Sequence, residues 1–229
     1  MRIKVIGLGG IGNWLIDPLT KFLNFSYNKA NGPEVWLIDG DDYDATNQDR
    51  QTFTRFDNKA VVTKERISNL CPLLKIIAKQ EYVNKKNVFE LIRENDIVFV
   101  CVDNHASRHL ISQRCEELDN VVVISGGNHI TDGLVQIFVR KNGENITLPL
   151  ANEFHPEISE SESSIPGQAG CEEVRSTQPQ LLFTNNAIAC VMLNAFYGYL
   201  QGNQLPDEVY VDITTNKTRA VTRTQTTLH

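Results

Sequence analysis

The stretch that decides the fold is residues 1–12, MRIKVIGLGGIG, where a short apolar segment runs directly into a group of glycines. The segment from Ile3 to Gly7 is typical of a buried strand that enters a tight turn. From Asn13 to about residue 28, apolar side chains recur at helical spacing, with Pro18 in the first turn or two of the expected helix. Strand, glycine turn and helix in this order predict a phosphate-binding turn at the edge of a parallel sheet.

Strands and helices alternate from this turn to residue 125. The segment Glu34 to Asp39 is a second apolar strand, and the run IVFVCV at 97–102 suits a central strand that is buried on both faces. This alternation predicts an α/β fold with a doubly wound, mainly parallel, Rossmann-like sheet. Further strands are expected at 74–78 and 121–125, a turn at 126–128, and helices at about 58–70, 86–93 and 106–118.

The second half of the sequence follows a different pattern. Residues 142–176 are rich in Glu, Ser and Pro, and they predict a long loop of the kind that crosses over a site. Antiparallel strands are expected to extend the sheet on either side of an apolar helix. These strands are predicted at 133–140, 208–214 and 218–224, and the helix at 179–200.

Length and composition limit the classes of protein. The 229 residues suffice for one α/β domain, so we expect a single domain over 1–229, with a nucleotide-binding half at 1–127 and the antiparallel strands, crossover loop and C-terminal helix at 128–229. The net charge of −6 argues against bulk binding to nucleic acid or to a membrane surface. No apolar run approaches the ~18 residues of a membrane-spanning helix. Five cysteines without a C-x-x-C pair predict a reduced, cytoplasmic protein without a four-thiolate zinc site.

Each glycine of Gly7-Leu8-Gly9-Gly10-Ile11-Gly12 has its own task in a nucleotide-binding turn. Gly7 permits the tight turn, Gly9 lets backbone amides approach a phosphate, and Gly12 allows the helix to pack closely. Gly10 and Ile11 complete the turn, and the N-terminus of the helix that follows presents amide donors and the positive end of the helix dipole to the ligand. The turn alone does not separate NAD from ATP.

The residues beyond the second strand favour ATP. Asp39 ends that strand, where a carboxylate accepts the ribose hydroxyls of either nucleotide. The following loop carries Asn47 and Arg50, and the next helix carries Lys64. Such donors stabilise the charge that builds on phosphate oxygens and pyrophosphate during nucleotidyl transfer. Asp103, at the carboxyl end of the strand at 97–102, is suited to hold the Mg²⁺ that bridges a triphosphate.

Together these residues resemble the ThiF/MoeB/ubiquitin-activating-enzyme superfamily. The resemblance runs in order from residue 1 to about 127, and it is weaker in the remainder. The matching motifs are Gly7-x-Gly9-Gly10-Ile11-Gly12, Asp39-x-Asp41, Asn47-x-x-Arg50-Gln51, Lys64 and Cys101-Val102-Asp103-Asn104-x-x-x-Arg108.

The resemblance implies that ATP and Mg²⁺ are used to adenylate the C-terminal carboxylate of a small ubiquitin-like or sulfur-carrier protein. It also implies a homodimer, for which the helix at 179–200 and nearby strands supply the interface. By the same resemblance, Asp39 binds the ribose, and Arg50 and Lys64 bind the phosphates. Asp103 binds the Mg²⁺, and Asn47 and Gln51 position the triphosphate. Asp41 occupies a matching position of the site.

Two matching residues have open roles. Cys171 lies in the long loop, where some members of the superfamily place a cysteine that takes the acyl group as a thioester. Its neighbours Glu172 and Glu173 raise rather than lower the pKa of a thiol, so an ordinary solvent-facing cysteine stays an alternative. Arg108 either belongs to the site or orients the loop of Asp103.

Two other classes of function stay open. An NAD-dependent oxidoreductase shares the glycine turn and Asp39, but it leaves Asn47, Arg50 and Lys64 without a task. A catalytically silent nucleotide-binding scaffold subunit keeps the turn without the chemistry. The absence of the zinc ligands, and of a leading arginine that many members of the superfamily carry before their first strand, favours that second alternative.

Overall fold

The computed structural model describes residues 1–27, 32–160 and 181–223. Its strands are β1 (Arg2–Ile6), β2 (Glu34–Ile38), β3 (Lys75–Lys79), β4 (Asp96–Val100), β5 (Val121–Asn128), β6 (Asp132–Lys141), β7 (Glu144–Asn145), β8 (Glu208–Asp212) and β9 (Lys217–Val221). Within these ranges they form one sheet in the order β3-β2-β1-β4-β5-β6-β8-β9, with β7 paired to β6.

The first five strands are parallel, as the sequence predicts. Ile6 of β1 is level with Ile38 of β2 and Val100 of β4, so these three strands end at the same edge of the sheet. Successive strands are added on one side of β1 up to β3, and on its other side from β4 onwards. The crevice between the carboxyl ends of β1 and β4 is therefore the topological switch point, where open α/β sheets bind their ligands.

Helices cover both faces of the sheet. The helices are α1 (Gly10–Ser26), α2 (Lys59–Leu70), α3 (Val88–Leu91), α4 (His105–Glu116), α5 (Pro156–Glu160) and α6 (Leu182–Leu200), together with a 3₁₀ turn at Ala45–Asn47. One apolar cluster joins the sheet to α1, α2 and α6, and a second joins its other face to α3, α4 and α5. The doubly wound architecture is thus confirmed.

Helix α1 begins at Gly10, three residues earlier than the spacing of apolar residues predicts. Pro18 therefore lies in the third turn, where its missing amide removes one hydrogen bond from the helix interior. The buried face of α1, which includes Leu15 and Leu19, packs against α6 and compensates for that loss.

The antiparallel half differs from the prediction in two places. Strand β5 continues through the glycines to Asn128, so the turn expected at 126–128 lies at 129–131 instead. The residues of the expected loop at 142–176 that the structure describes include β7 and α5. Ile158 of α5 is buried in the second apolar cluster, which anchors this segment. Among the described residues, every helix is too short or too polar to cross a lipid bilayer.

Candidate functional site

The glycine turn between β1 and α1 is shaped by close backbone contacts. Gly7 has a φ of +89°, and a Cβ on it would lie 2.8 Å from the carbonyl carbon of Cys101. A Cβ on Gly12 would lie 2.1 Å from the carbonyl oxygen of Gly7. These two positions therefore require glycine for the turn and for the packing of α1 on the sheet.

Gly9 is different, because a Cβ there would meet nothing within 4 Å. Gly9 is the N-cap of α1, and neither a side chain nor an acidic residue in the first turn neutralises the helix N-terminus. The open space beside Gly9 thus lies at the positive end of the helix dipole, where the first amides of a helix have no partner within the helix. This cradle fits a phosphate group, as the sequence predicts for Gly9, Gly10, Ile11 and Gly12.

Asp39 lies at the end of β2, next to this turn. Its carboxylate accepts hydrogen bonds from the amides of Leu8, at 2.5 Å, and Asp41, at 2.8 Å. Burial raises the pKa of Asp39 to about 6, although the ammonium of Lys59 partly offsets that effect. Because each carboxylate oxygen has a second lone pair, Asp39 can still accept hydrogen bonds from a ligand.

Lys59 is the cation that the structure brings to this carboxylate. It is the first residue of α2, it is buried, and its Nζ lies 2.9 Å from Oδ2 of Asp41. Burial alone would lower the pKa of Lys59, but Asp39 and Asp41 outweigh it and raise that pKa. Oδ2 of Asp41 therefore binds the ammonium of Lys59 rather than a ligand.

Asn58 explains why Lys59 is placed there. The Asn58 side chain caps α2 by accepting from the amides of Ala60 and Val61, and it donates to the backbone carbonyls of Asp39 and Asp41 at 3.1 and 3.0 Å. One side chain therefore joins the start of the helix to the backbone of both aspartates. The sequence carried this signal as an asparagine at a helix N-cap, followed directly by a lysine.

Lys64 does not take the position that the sequence analysis assigned to it. It is exposed, and the charge interaction described for it is with its neighbour Glu65. A residue five positions after Lys59 lies about 140° further round an α-helix, so the two lysines cannot share one face. The lysine of α2 that lies at the carboxylates is Lys59, whereas the resemblance assigns Lys64 to the phosphates.

Arg50 follows the 3₁₀ turn of the loop between β2 and α2. Its Nη1 donates at 2.8 Å both to the carbonyl of Thr46 and to Oδ1 of Asp49. Part of the guanidinium of Arg50 is therefore used in a local ion pair with Asp49. An arginine has five N–H donors, and Nε and Nη2 of Arg50 make no hydrogen bond within the described residues.

Asn47 and Gln51 flank Arg50 in different ways. Asn47 is buried, and its Oδ1 accepts from the amide of Asp44 in a capping box, so it shapes the loop. In Gln51 the side-chain oxygen is buried and has no hydrogen-bond partner in the described part of the chain. A buried amide oxygen without a donor is costly, so an N–H or O–H group of a ligand would satisfy it.

Asn13 attaches this loop to α1, a role that the sequence analysis missed. Its Nδ2 donates to the hydroxyl of Tyr43 and to the carbonyl of Thr52, both at 3.0 Å, and its Oδ1 accepts from the amide of Thr52 at 2.7 Å. The loop that carries Arg50 is thereby fixed to the first turn of the helix. An asparagine inside an apolar helix face was the available signal.

Asp103 lies beyond the carboxyl end of β4, across the switch point from the glycine turn, and it is exposed. Arg108 is buried behind it and donates to Ser125 Oγ and to the carbonyls of Val102 and Gly126, at 2.5 to 2.7 Å. These bonds tie the loop after β4 to β5. Of the two roles left open for Arg108, the structure supports orientation of the Asp103 loop.

The chemistry of the donor set limits what kind of metal fits. No group of three or more His, Cys, Asp or Glu side chains within the described ranges is arranged to hold a metal. A single carboxylate such as Asp103 fits Mg²⁺, which takes most of its ligands from phosphates and water.

Three of the four cysteines that the structure describes lie in the core. Cys71, Cys101 and Cys115 are buried free thiols, and burial raises the pKa of Cys101 to about 12. Cys190 is exposed on α6. The candidate nucleophile Cys171 lies outside the described residues.

Comparison with known proteins places this geometry in context. The sequence pattern of the ThiF family matches residues 1–227. "Adenylyltransferase and sulfurtransferase UBA4" of Meyerozyma guilliermondii is 26% identical over 209 residues, which are 90% of this chain and 45% of that protein. The tRNA threonylcarbamoyladenosine dehydratase of Escherichia coli is 25% identical over 199 residues, which are 83% of this chain and 71% of that protein.

A solved structure shows the same fold. The crystal structure of E. coli MccB with ATP superposes with a TM-score of 0.70 at 16% identity, over 98% of this chain and 65% of the MccB chain. The chain therefore spans less than half the length of the UBA4 protein and about two thirds of MccB.

Proposed function

The chain belongs to the ThiF family, and from that premise we propose that it is an ATP-dependent adenylyltransferase. The observation that carries the proposal is the open cradle at Gly9, with Asp39 next to it at the carboxyl end of β2 and the ammonium of Lys59 acting on that carboxylate. Similarity to an adenylyltransferase and, in fold, to a protein crystallised with ATP supports it.

The proposed substrate is the C-terminal carboxylate of a small ubiquitin-like or sulfur-carrier protein. The sulfurtransferase named in the UBA4 relative supports a sulfur carrier. A second candidate is a carboxylate borne by tRNA, because the E. coli dehydratase matches this chain over 71% of its own length. The net charge of −6 favours the protein substrate, since a tRNA would meet a negative surface.

In the proposed reaction a carboxylate oxygen attacks the α-phosphorus of ATP. A carbon–oxygen–phosphorus link forms, the bond from the α-phosphorus to the bridging oxygen breaks, and pyrophosphate leaves with the electron pair. The amides at Gly9 to Gly12 hold phosphate oxygens, Asp39 holds the ribose, and Lys59 supplies positive charge to the phosphorus centre. The N–H donors of Arg50 that make no hydrogen bond within the described residues serve the same end, and Gln51 orients the triphosphate.

Asp103 is proposed to hold Mg²⁺. The bound ion would neutralise charge on the triphosphate and the leaving pyrophosphate. Arg108 keeps the loop of Asp103 at the edge of β4 through its three hydrogen bonds. Thioester transfer to Cys171 and a reducing, cytoplasmic location stay predictions from the sequence.

A homodimer is also proposed, through the outer face of α6 and the adjacent α1. A cavity of about 270 Å³ lies between the two helices. Next to it, a cavity of about 290 Å³ is lined by Phe22, Phe196 and other apolar residues of both helices. Phe183 and Tyr197 of α6 are 66% and 53% exposed, which is typical of a surface that a partner covers.

A matched pair of variants tests the proposed function. Lys59→Met should weaken the binding of ATP by about tenfold or more, because it removes the buried cation, whereas Lys64→Met on the same helix should bind like the wild type. ATP–pyrophosphate exchange with a candidate carrier protein measures the chemistry. Binding of NAD without binding of ATP would favour an oxidoreductase. Binding of ATP without pyrophosphate exchange on any tested carrier would favour a silent scaffold.

A further inference from the structure

Tyr82, in the loop after β3, reaches the carboxylates of the site. Its ring covers Gly40, where an added Cβ would lie 2.6 Å from the ring carbons. Its hydroxyl donates to Oδ1 of Asp41. Gly40 is therefore a glycine because the tyrosine ring occupies the place of its side chain.

Asp41 connects Tyr82 to the buried lysine. One of its oxygens accepts from Tyr82, and the other lies 2.9 Å from Nζ of Lys59. The side chain of Asp41 is 45% exposed, whereas that of Lys59 is 9% exposed, so solvent would otherwise compete for the carboxylate. The phenol hydroxyl restricts the carboxylate to the rotamer that faces the lysine.

The loop that carries Tyr82 is itself held in place by two asparagines. Asn84 and Asn87 each donate a side-chain hydrogen bond to the carbonyl of Tyr82, at 3.1 and 2.9 Å. Asn87 also donates to Glu81 and accepts from the amide of Asn84. These bonds fix the backbone of Tyr82, so its hydroxyl is presented to Asp41 before any ligand arrives.

We propose that Tyr82 is a positioning residue of the nucleotide site, which fixes the ammonium of Lys59 through Asp41. This proposal rests on the proposed function, because it assigns Lys59 to the nucleotide. Tyr82 acts by orientation, so loss of its hydroxyl alone weakens the placement of Lys59 without removing the charge.

The test measures MgATP affinity of the whole chain by calorimetric titration. Tyr82→Phe keeps the ring over Gly40 and removes the hydroxyl, and it should weaken MgATP binding by about fivefold. In Tyr82→Phe combined with Lys59→Met, the affinity should equal that of Lys59→Met alone, because the tyrosine acts only through the lysine. The control is Tyr210→Phe, which removes a comparable phenol bond to Glu208 on β8, and it should leave the affinity unchanged.

Nucleotide-free thermal unfolding separates positioning from stability. The unfolding temperatures of Tyr82→Phe and Tyr210→Phe should shift by similar, small amounts, while only the first loses affinity. If the effects of Tyr82→Phe and Lys59→Met add independently, or if Tyr82→Phe binds MgATP like the wild type, the proposal for Tyr82 is overturned. If the wild type itself binds no MgATP, the proposed function fails, and the proposal for Tyr82 fails with it.

Discussion

Replacing Asp39 by asparagine changes how the stability of the protein depends on pH. Asp39 is almost completely buried, and burial raises its pKa from an ordinary 3.8 to about 6, against the opposing effect of Lys59 and with the help of Asp41. The folded chain therefore binds a proton at Asp39 more tightly than the unfolded chain does. In the range between about pH 3.8 and 6, unfolding releases that proton.

The size and sign of the effect follow from this difference. The protonated carboxyl contributes stability that is fully present below about pH 3.8 and is lost as the pH rises through about 6. The total corresponds to about 3 kcal/mol of unfolding free energy, of which about half is lost between pH 5 and 7.5. An asparagine side chain does not titrate. The free energy of unfolding of Asp39→Asn should therefore rise relative to that of the wild type, between pH 5 and 7.5, by the amount that the wild type loses there.

Urea unfolding at a series of pH values measures the effect, with the fluorescence of Trp14 and Trp36 as the signal. The variant also loses an acceptor for the amide of Leu8 or Asp41, but that loss is the same at every pH and cancels in the slope. In Asp212→Asn the difference from wild type should be flat between pH 5 and 7.5, because Asp212 has its pKa lowered to about 2. A difference for Asp39→Asn that stays flat or falls with rising pH would refute the reasoning.

Four further predictions concern the turn and the loops around it. Gly9→Ala should change the free energy of unfolding by no more than about 1 kcal/mol. It should nevertheless weaken MgATP binding at least about tenfold, because the methyl group enters the cradle. If the variant and the wild type bound MgATP with equal affinity in a titration, the cradle would not bind phosphate. Gly12→Ala should abolish folding, since its Cβ would collide with Gly7, and a cooperative thermal transition near that of the wild type would contradict this packing. Arg108→Met should lower the free energy of unfolding in urea by about 3 kcal/mol, because it leaves three acceptors without their donor, and an unchanged free energy would contradict this. Asn13→Ala should speed proteolysis within residues 40–57 with little change in the melting temperature. An unchanged rate of proteolysis would be the opposing result.

Local pattern predicted the parallel half of the fold because each of its elements carries its own signal. The buried strand of β4 and the glycine turn after β1 each occupy a few adjacent residues, and the alternation of strand and helix then restricts the topology. The helix α5 was missed, because a five-residue helix is stabilised by the contact of Ile158 with the core rather than by its own periodicity. The turn at 129–131 was also missed.

The site residues divide in the same way. Gly7, Gly12 and Asp39 are fixed by backbone geometry that follows directly from a strand end, so their positions in the structure agree with the sequence analysis. Their binding roles stay proposals. Lys59 and Tyr82 were not found, because their importance arises from contacts between segments that are distant in sequence.

The choice between two lysines of one helix shows what kind of information the sequence lacked. A lysine at the right distance along the chain is easily found, but only the rotation of α2 about its axis decides whether its ammonium is buried or exposed. That rotation is set by Asn58, whose cap starts the helix and whose amide holds the carbonyls of Asp39 and Asp41. Moving the start of α2 by a single residue would turn Lys59 away by about 100°. The electrostatics of the proposed site therefore depend on a neutral asparagine, and exchanging it for alanine should cost ATP affinity although no charge is removed.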